Sequence, residues 1–242
     1  MLKVSFIGSG NVATRFAARL RQAGAEIVQI CSRSGEPVSS LDPDRADLVI
    51  VATADDAIAE VLDSVTSAGS ALWVHTAGSV GIDVFNPEKF PRHGVLYPLQ
   101  TMLKEREADW STVPMLVEGD PQVLEIARMM STSVARLDSA SRRRLHAAAV
   151  IGCNMVMYLW SLSERICNDA GLDFDMLKPL LRLTLERAMQ MSPSDAMTGP
   201  AKRGDLKTIN GHIAALPPEI AEVYGFLSDK MLAALHPANT EN

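Results

Sequence analysis

Near the start of the chain, the apolar run 2–7 ends in Gly8-Ser9-Gly10-Asn11-Val12-Ala13. It passes straight into a segment with apolar residues at helical spacing, Val12, Phe16, Ala17 and Leu20, which Gly24 stops. A strand, a glycine turn and a helix in that order restrict the fold more than any other feature here. The small residues let the backbone turn tightly. The helix then aims its first amides at whatever lies over the turn, which suits a pyrophosphate. Segments 27–31, 47–52 and 71–75 read as further strands and 57–65 as a helix, with no hairpin turns between them. The expected architecture is therefore α/β, with a doubly wound, mostly parallel sheet. Only residues 34–45 separate the second and third strands, too few for a full crossover helix and a further strand. Segments 94–98 and 113–117 read as later strands, and 122–134 as a helix.

After about Asp138 the periodicity is helical nearly throughout, over 141–170, 174–191, 206–215 and 218–235. Two domains are expected: a Rossmann-like dinucleotide-binding domain over 1–138, and an all-helical substrate and dimerisation domain over 139–242. Residues 145–163 form a run of 19 without Asp, Glu, Lys or Arg, 14 of them apolar, which is the length of a membrane span. The run holds His146, Gly152 and Asn154 and is crowded by charge at both ends. It reads as a helix buried at a domain or subunit interface, not a membrane segment, and points to a homodimer through the helical domain.

Composition narrows the partner. A net charge of -6 argues against a chain built to neutralise nucleic-acid phosphates, and 5% aromatic residues argue against a base-stacking platform. A small molecule is expected instead. Cys31, Cys153 and Cys167 form no CxxC pair and give no metal site, which fits reduced thiols. The N-terminus shows no secretory leader, so a cytoplasmic location is expected.

Cofactor choice is read at the end of the second strand. An NAD site places Asp or Glu there; this chain has Cys31-Ser32-Arg33-Ser34, with no carboxylate before Glu36. A guanidinium between two hydroxyls grips a 2′-phosphate, so NADP is expected. The cofactor contacts are then Gly8, Ser9, Gly10, Asn11 and Val12, the trio Ser32, Arg33 and Ser34, and Thr53 and Thr76 where later strands end. Asp55 reads as a helix cap. His75 ends its strand where the nicotinamide half should lie, and is either a catalytic or a structural histidine.

The sequence resembles a group of bacterial NADP oxidoreductases that join a Rossmann-like domain to a helical domain of unknown function. The resemblance spans nearly the whole chain. It rests on the glycine turn, on His75-Thr76-Ala77-Gly78, on Tyr97-Pro98-Leu99-Gln100-Thr101, on His146 with Asn154, and above all on Thr198-Gly199-Pro200-Ala201-Lys202-Arg203-Gly204-Asp205. The group is similar in architecture to ketopantoate reductase, pyrroline-5-carboxylate reductase and 6-phosphogluconate dehydrogenase-like proteins. In ketopantoate reductases a catalytic Lys, followed by an Asn, lies on the first long helix of the second domain. The resemblance implies that His146 and Asn154 take those places.

On an ideal helix His146 and Asn154 lie about 12 Å apart along one side, able to bracket a small substrate. His146 can move a proton near neutral pH, and Asn154 can hold a substrate without changing charge. Arg142, Arg143 and Arg144 oppose the helix dipole, so a compensating anion is expected: Asp138, a substrate carboxylate or cofactor phosphate. Gln100 and Arg203 are the expected substrate contacts, Arg203 as a bidentate clamp on a carboxylate or else as a partner of Asp205. The expected activity is NADPH-dependent reduction of a small, carboxylate-bearing carbonyl or imine, such as a ketopantoate-like 2-oxo acid, in the cleft between the domains. A non-catalytic NADP sensor and a deazaflavin-dependent NADP reductase stay open beside it.

Overall fold

The computed structural model describes residues 1–237, so the end of the expected 139–242 domain lies outside the described residues. Seven strands make one sheet: β1 (Lys3–Ile7), β2 (Glu26–Cys31), β3 (Leu48–Val51), β4 (Leu72–His75), β5 (His93–Pro98), β6 (Met115–Gly119) and β7 (Val134–Arg136). Their order is β2-β1-β3-β4-β5-β6-β7. Every neighbouring pair is parallel except β5 with β6. This is the doubly wound, mostly parallel sheet that the apolar runs imply.

Alternation along the strands explains why those runs are unbroken. Val4, Phe6, Leu48, Ile50, Leu72 and Val74 pack on one face with Phe16 and Leu20 of α1 (Asn11–Gln22). Val49, Val51 and Trp73 pack on the other with Ile58 and Leu62 of α2 (Ile58–Ser64). Both faces are covered, so neither set can be polar. Each large side chain taken fully from water contributes roughly 1.5–3 kcal/mol. The β2–β3 connection holds only single 3₁₀ turns at Val38–Ser40 and Pro43–Arg45, as its length dictates.

One strand is invisible in the periodicity. The helix expected over 122–134 is α3 (Pro121–Met130), and it ends because Ser131 turns extended, at φ -142° and ψ 153°. The Ser131 hydroxyl donates to the Val113 carbonyl at 2.6 Å. That anchor directs the chain into the three-residue β7, too short to show a period of two.

The chain divides into two compact units, Met1–Gly152 and Cys153–Asn242, whereas the sequence places the boundary at 138/139. The first unit keeps α4 (Ser139–Ala149), which is tied to the sheet by side chains described below. Helix continues through a π-helical stretch, Val150–Met155, into α5 (Val156–Asp169). The π-helical stretch interrupts the α-helical period after α4, and Asn154 lies within it.

The second unit contains α5, α6 (Lys178–Gln190), the single turns α7 (Pro193–Ala196) and α8 (Pro200–Arg203), α9 (Leu206–Ala215) and α10 (Pro218–Leu235). Its own core is thin. Leu162, Ala201, Ile209 and Ile220 are its buried apolar residues among those described, while Tyr158, Leu180 and Met189 are exposed. The continuous helix Ser139–Asp169 is long and apolar enough to cross a membrane by length and composition, yet only 6% of its most apolar window is buried. Within the single chain this helix is mostly uncovered.

Candidate functional site

A cleft of about 800 Å³ opens at the carboxyl ends of the strands of the first unit. Its floor is the glycine turn. Gly8 has φ +115°, and a Cβ there would fall inside the Ala52 carbonyl, so only glycine lets β1 and β3 come together under the turn. Gly10 is the opposite case: nothing stands within 4 Å of where its Cβ would be. As the N-cap of α1, Gly10 makes no side-chain cap, and the first turn of α1 carries no acidic residue. The free amides and the positive end of the helix dipole thus face open space, a ready anion site. The Asn11 side chain is committed elsewhere, donating to the Met102 carbonyl at 2.9 Å.

At the β2 end of the cleft, Ser32 N–H donates to the Glu36 carbonyl at 2.8 Å and closes a tight loop that projects Arg33 into solvent. Arg33 makes no ion pair among the described residues. The nearest carboxylate in sequence, Glu36, accepts instead from Gln29 at 2.7 Å, and it does not line the cleft. Gly8, Ser9, Gly10, Asn11 and Val12, then Ser32, Arg33 and Ser34, and finally Thr53 and Thr76 all line this one space.

Beyond Thr76 the turn Ala77-Gly78-Ser79 carries a second group of side chains. Tyr97, on the last turn of β5, places its hydroxyl 2.9 Å from Nδ1 of His146 on α4. The two rings meet edge to face at 5.8 Å. Both lie over Gly78, where a Cβ would stand 2.6 Å from His146 Nδ1 and 2.8 Å from Tyr97 Cζ. Burial, with the Asp55 carboxylate adding to it, pushes the Tyr97 hydroxyl above its ordinary value. Asp55 lines the cleft and accepts a short hydrogen bond from the Ser79 hydroxyl, which joins the two groups. Tyr97 opens one of the motifs that carry the resemblance, but the sequence assigned it no role, although the last residues of a central strand are where such sheets keep their functional side chains.

His75 is fully buried and stacked on Phe85. Its Nδ1 accepts the Ala77 N–H at 3.2 Å, while Nε2 has no hydrogen-bond partner. Burial first, and the Arg142 charge second, pull its pKa down to about 4. His75 is therefore neutral at physiological pH and shapes the Ala77-Gly78 turn.

Arg142 corrects an expectation. Its compensating anion is Glu118 on β6, none of the three candidates considered from the sequence. The guanidinium is wholly buried, and also donates to the Val80 carbonyl at 2.5 Å. By strand register Glu118 stands abreast of Val95 and His75. Its carboxylate accepts the Ser139 N–H at 3.0 Å and the Ser139 hydroxyl at 2.7 Å, so it also caps the start of α4. Arg142 is spent on the fold and is not free for a phosphate. Asp138 caps α4 through Ser141, a bond that holds its carboxyl below the usual range.

Comparison with known proteins gives this geometry a family. Over 96% of this chain and 98% of its own, a Bacteroides fragilis protein described as an NADP oxidoreductase is 32% identical and superposes with a TM-score of 0.86. The chain belongs to this NADP oxidoreductase family. Residues 3–62 of the oxidoreductase match the family described as NADP oxidoreductase, coenzyme F420-dependent, and residues 113–231 match a domain of unknown function, DUF2520. The Thermotoga maritima protein TM1727 shares the fold at 24% identity and a TM-score of 0.73, covering 96% of each chain. A Streptomyces aurantiacus imine reductase shares it at 16% and 0.62, over 95% of each chain. No curated protein matches the sequence.

The residues present suit the family's cofactor. The open space over Gly10, the uncapped amides of α1 and Arg33, which has no ion pair among the described residues, suit a dinucleotide that carries a pyrophosphate and a 2′-phosphate. Three further expected site residues are exposed. Gln100 is exposed after β5 and folds its Oε1 back onto Thr101 N–H at 2.9 Å. Asn154 is exposed in the π-helical stretch. Arg203 is exposed at the end of α8 and is not bridged to Asp205, which caps α9 through Thr208 at 3.0 Å.

Proposed function

We propose that this oxidoreductase is a cytoplasmic NADPH-dependent reductase of a small carbonyl or imine compound bearing a carboxylate. The observation that carries the reading is the pairing, in one cleft, of an uncapped helix N-terminus over Gly10 with an unpaired Arg33 at the end of β2. Arg33, with Ser32 and Ser34, takes the 2′-phosphate through charge-assisted hydrogen bonds. Gly8, Ser9, Gly10, Asn11 and Val12 hold the pyrophosphate, and Thr53 and Thr76 line the rest of the cofactor's path. From β2 to β5 there are four strand spacings of about 4.8 Å, so the sheet offers roughly 19 Å of edge from Arg33 to Tyr97. Bound NADPH supplies a hydride to the substrate carbon.

The chain must then provide a proton, and His146 is the histidine suited to do so. It is half-buried, whereas His75 is sealed in the core with Nδ1 already engaged. Asn154 and Gln100 supply neutral hydrogen-bonding groups for the substrate. Arg203, without an ion pair among the described residues, is the guanidinium assigned to the substrate carboxylate. The free thiols of Cys31, Cys153 and Cys167 suit a reducing cytoplasm. The thin core of the helical unit supports a homodimer formed through that unit, which would cover its bare apolar side chains.

The test is NADPH oxidation by the purified protein with a panel of 2-oxo acids, ketopantoate and cyclic imines, plus an arm with a deazaflavin acceptor. Oxidation with one member of the carbonyl or imine panel is expected. Oxidation by the deazaflavin alone would reassign the hydride acceptor, and tight NADPH binding without any turnover would make the protein a sensor.

A further inference from the structure

We propose that Tyr97 is the residue that hands the proton to the substrate, and that His146 resupplies it. This rests on the reductase reading above and goes beyond it by naming the donor atom. Tyr97 stands at the carboxyl end of β5, on the sheet edge where the cleft opens. Among the described residues its hydroxyl has one hydrogen-bond partner, Nδ1 of His146 at 2.9 Å. Gly78 has no side chain to part them, and the turn it belongs to follows Thr76, which lines the cleft. His146 is only half-buried, so its second ring nitrogen remains within reach of solvent protons.

The charged and titratable groups that act on Tyr97 are Asp55, Arg142 and His146. Asp55 and burial together keep the phenol in its acid form at neutral pH, while Arg142 favours the phenolate. The proton is therefore in place on Tyr97 before the reaction.

The step balances as follows. Hydride arriving at the substrate carbon forms a C–H bond, and the π pair of the C=O or C=N bond moves to the heteroatom. The Tyr97 O–H bond breaks and its proton goes to that heteroatom. NADPH is oxidised to NADP⁺ and the substrate gains two electrons. A solvent proton converts the His146 ring to imidazolium, which gives its Nδ1 proton to the phenolate and ends neutral, so each turnover consumes one solvent proton.

The experiment uses Tyr97→Phe and His146→Ala with the substrate identified by the panel above, together with NADPH titration and NMR of the histidine ring nitrogens without cofactor. Tyr97→Phe is expected to lower kcat about 100-fold, to leave NADPH affinity within about twofold, and to change the Nδ1 chemical shift of His146, whose hydrogen-bond partner it removes. His146→Ala is expected to lower kcat about tenfold and to recover with added imidazole, which a purely structural loss would not do. Turnover by Tyr97→Phe within about twofold of wild type overturns this proposal alone. An unchanged His146 Nδ1 chemical shift in Tyr97→Phe does the same. Wild-type protein that binds NADPH and reduces no acceptor overturns the reductase reading and this proposal together.

Discussion

Glu118 at the end of β6 and Arg142 in the first turn of α4 form an ion pair whose guanidinium is fully buried and whose carboxylate also caps α4. The pair fixes α4 against the sheet, and with it the position of His146. Arg142→Met removes one partner and leaves a carboxylate facing apolar surroundings, which costs about 3–5 kcal/mol. Glu118→Leu alone should cost a similar amount. The double variant should recover much of either loss, because it buries no unpaired charge. Urea denaturation of the three variants measures the cycle.

Gly78→Ala introduces a methyl group between His146 and Tyr97, at 2.6 Å and 2.8 Å from their nearest atoms. One or both side chains must move by several tenths of an ångström. Misplacement on this scale is expected to lower kcat by roughly 10- to 100-fold while the far-ultraviolet circular dichroism stays that of the wild type. Steady-state kinetics alongside that spectrum distinguishes a displaced pair from a lost fold.

His75 gives the protein an acid-sensitive core. Its folded pKa of about 4 lies below the ordinary histidine value of 6.5, so between these pH values the unfolded chain binds the extra proton. Stability is then highest above pH 6.5 and falls as pH drops toward 4, by on the order of 3 kcal/mol at one unit per 1.36 kcal/mol. His75→Asn retains an acceptor for Ala77 N–H but does not titrate. Chemical denaturation at a series of pH values should show a flatter profile for this variant across that window.

The helical unit exposes Tyr158 at 57%, Leu180 at 59% and Met189 at 76%. A second copy of the chain covering them should make the protein dimeric at micromolar concentration. Leu180→Glu should weaken that association, as read by sedimentation velocity. A wild-type monomer that stays soluble without detergent would rule the dimer out.

Much of the sheet was legible because parallel strands covered on both faces leave unbroken apolar runs, as Leu48–Val51 does. β7 was not legible, since three residues cannot display alternation and Ser131, which starts the turn into it, acts through the distant Val113 carbonyl. The cleft could be read because the glycine turn and the Ser32-Arg33-Ser34 loop are local in sequence. The Tyr97–His146 contact joins residues far apart in the chain, and nothing in either neighbourhood encodes it. The same holds for Arg142, whose expected anion proves to be Glu118, on a strand distant in sequence. The π-helical turn at Val150–Met155 was not legible either, because it leaves no mark in the hydrophobic period.

Affinity for NADPH against NADH, measured by fluorescence titration for the wild type and for Arg33→Ala, tests the cleft assignment most directly. With Arg33 on the 2′-phosphate, NADPH should bind at least about tenfold more tightly, a difference of about 1.4 kcal/mol for one charge-assisted contact, and Arg33→Ala should remove that preference. Equal or tighter binding of NADH by the wild type would overturn the assignment.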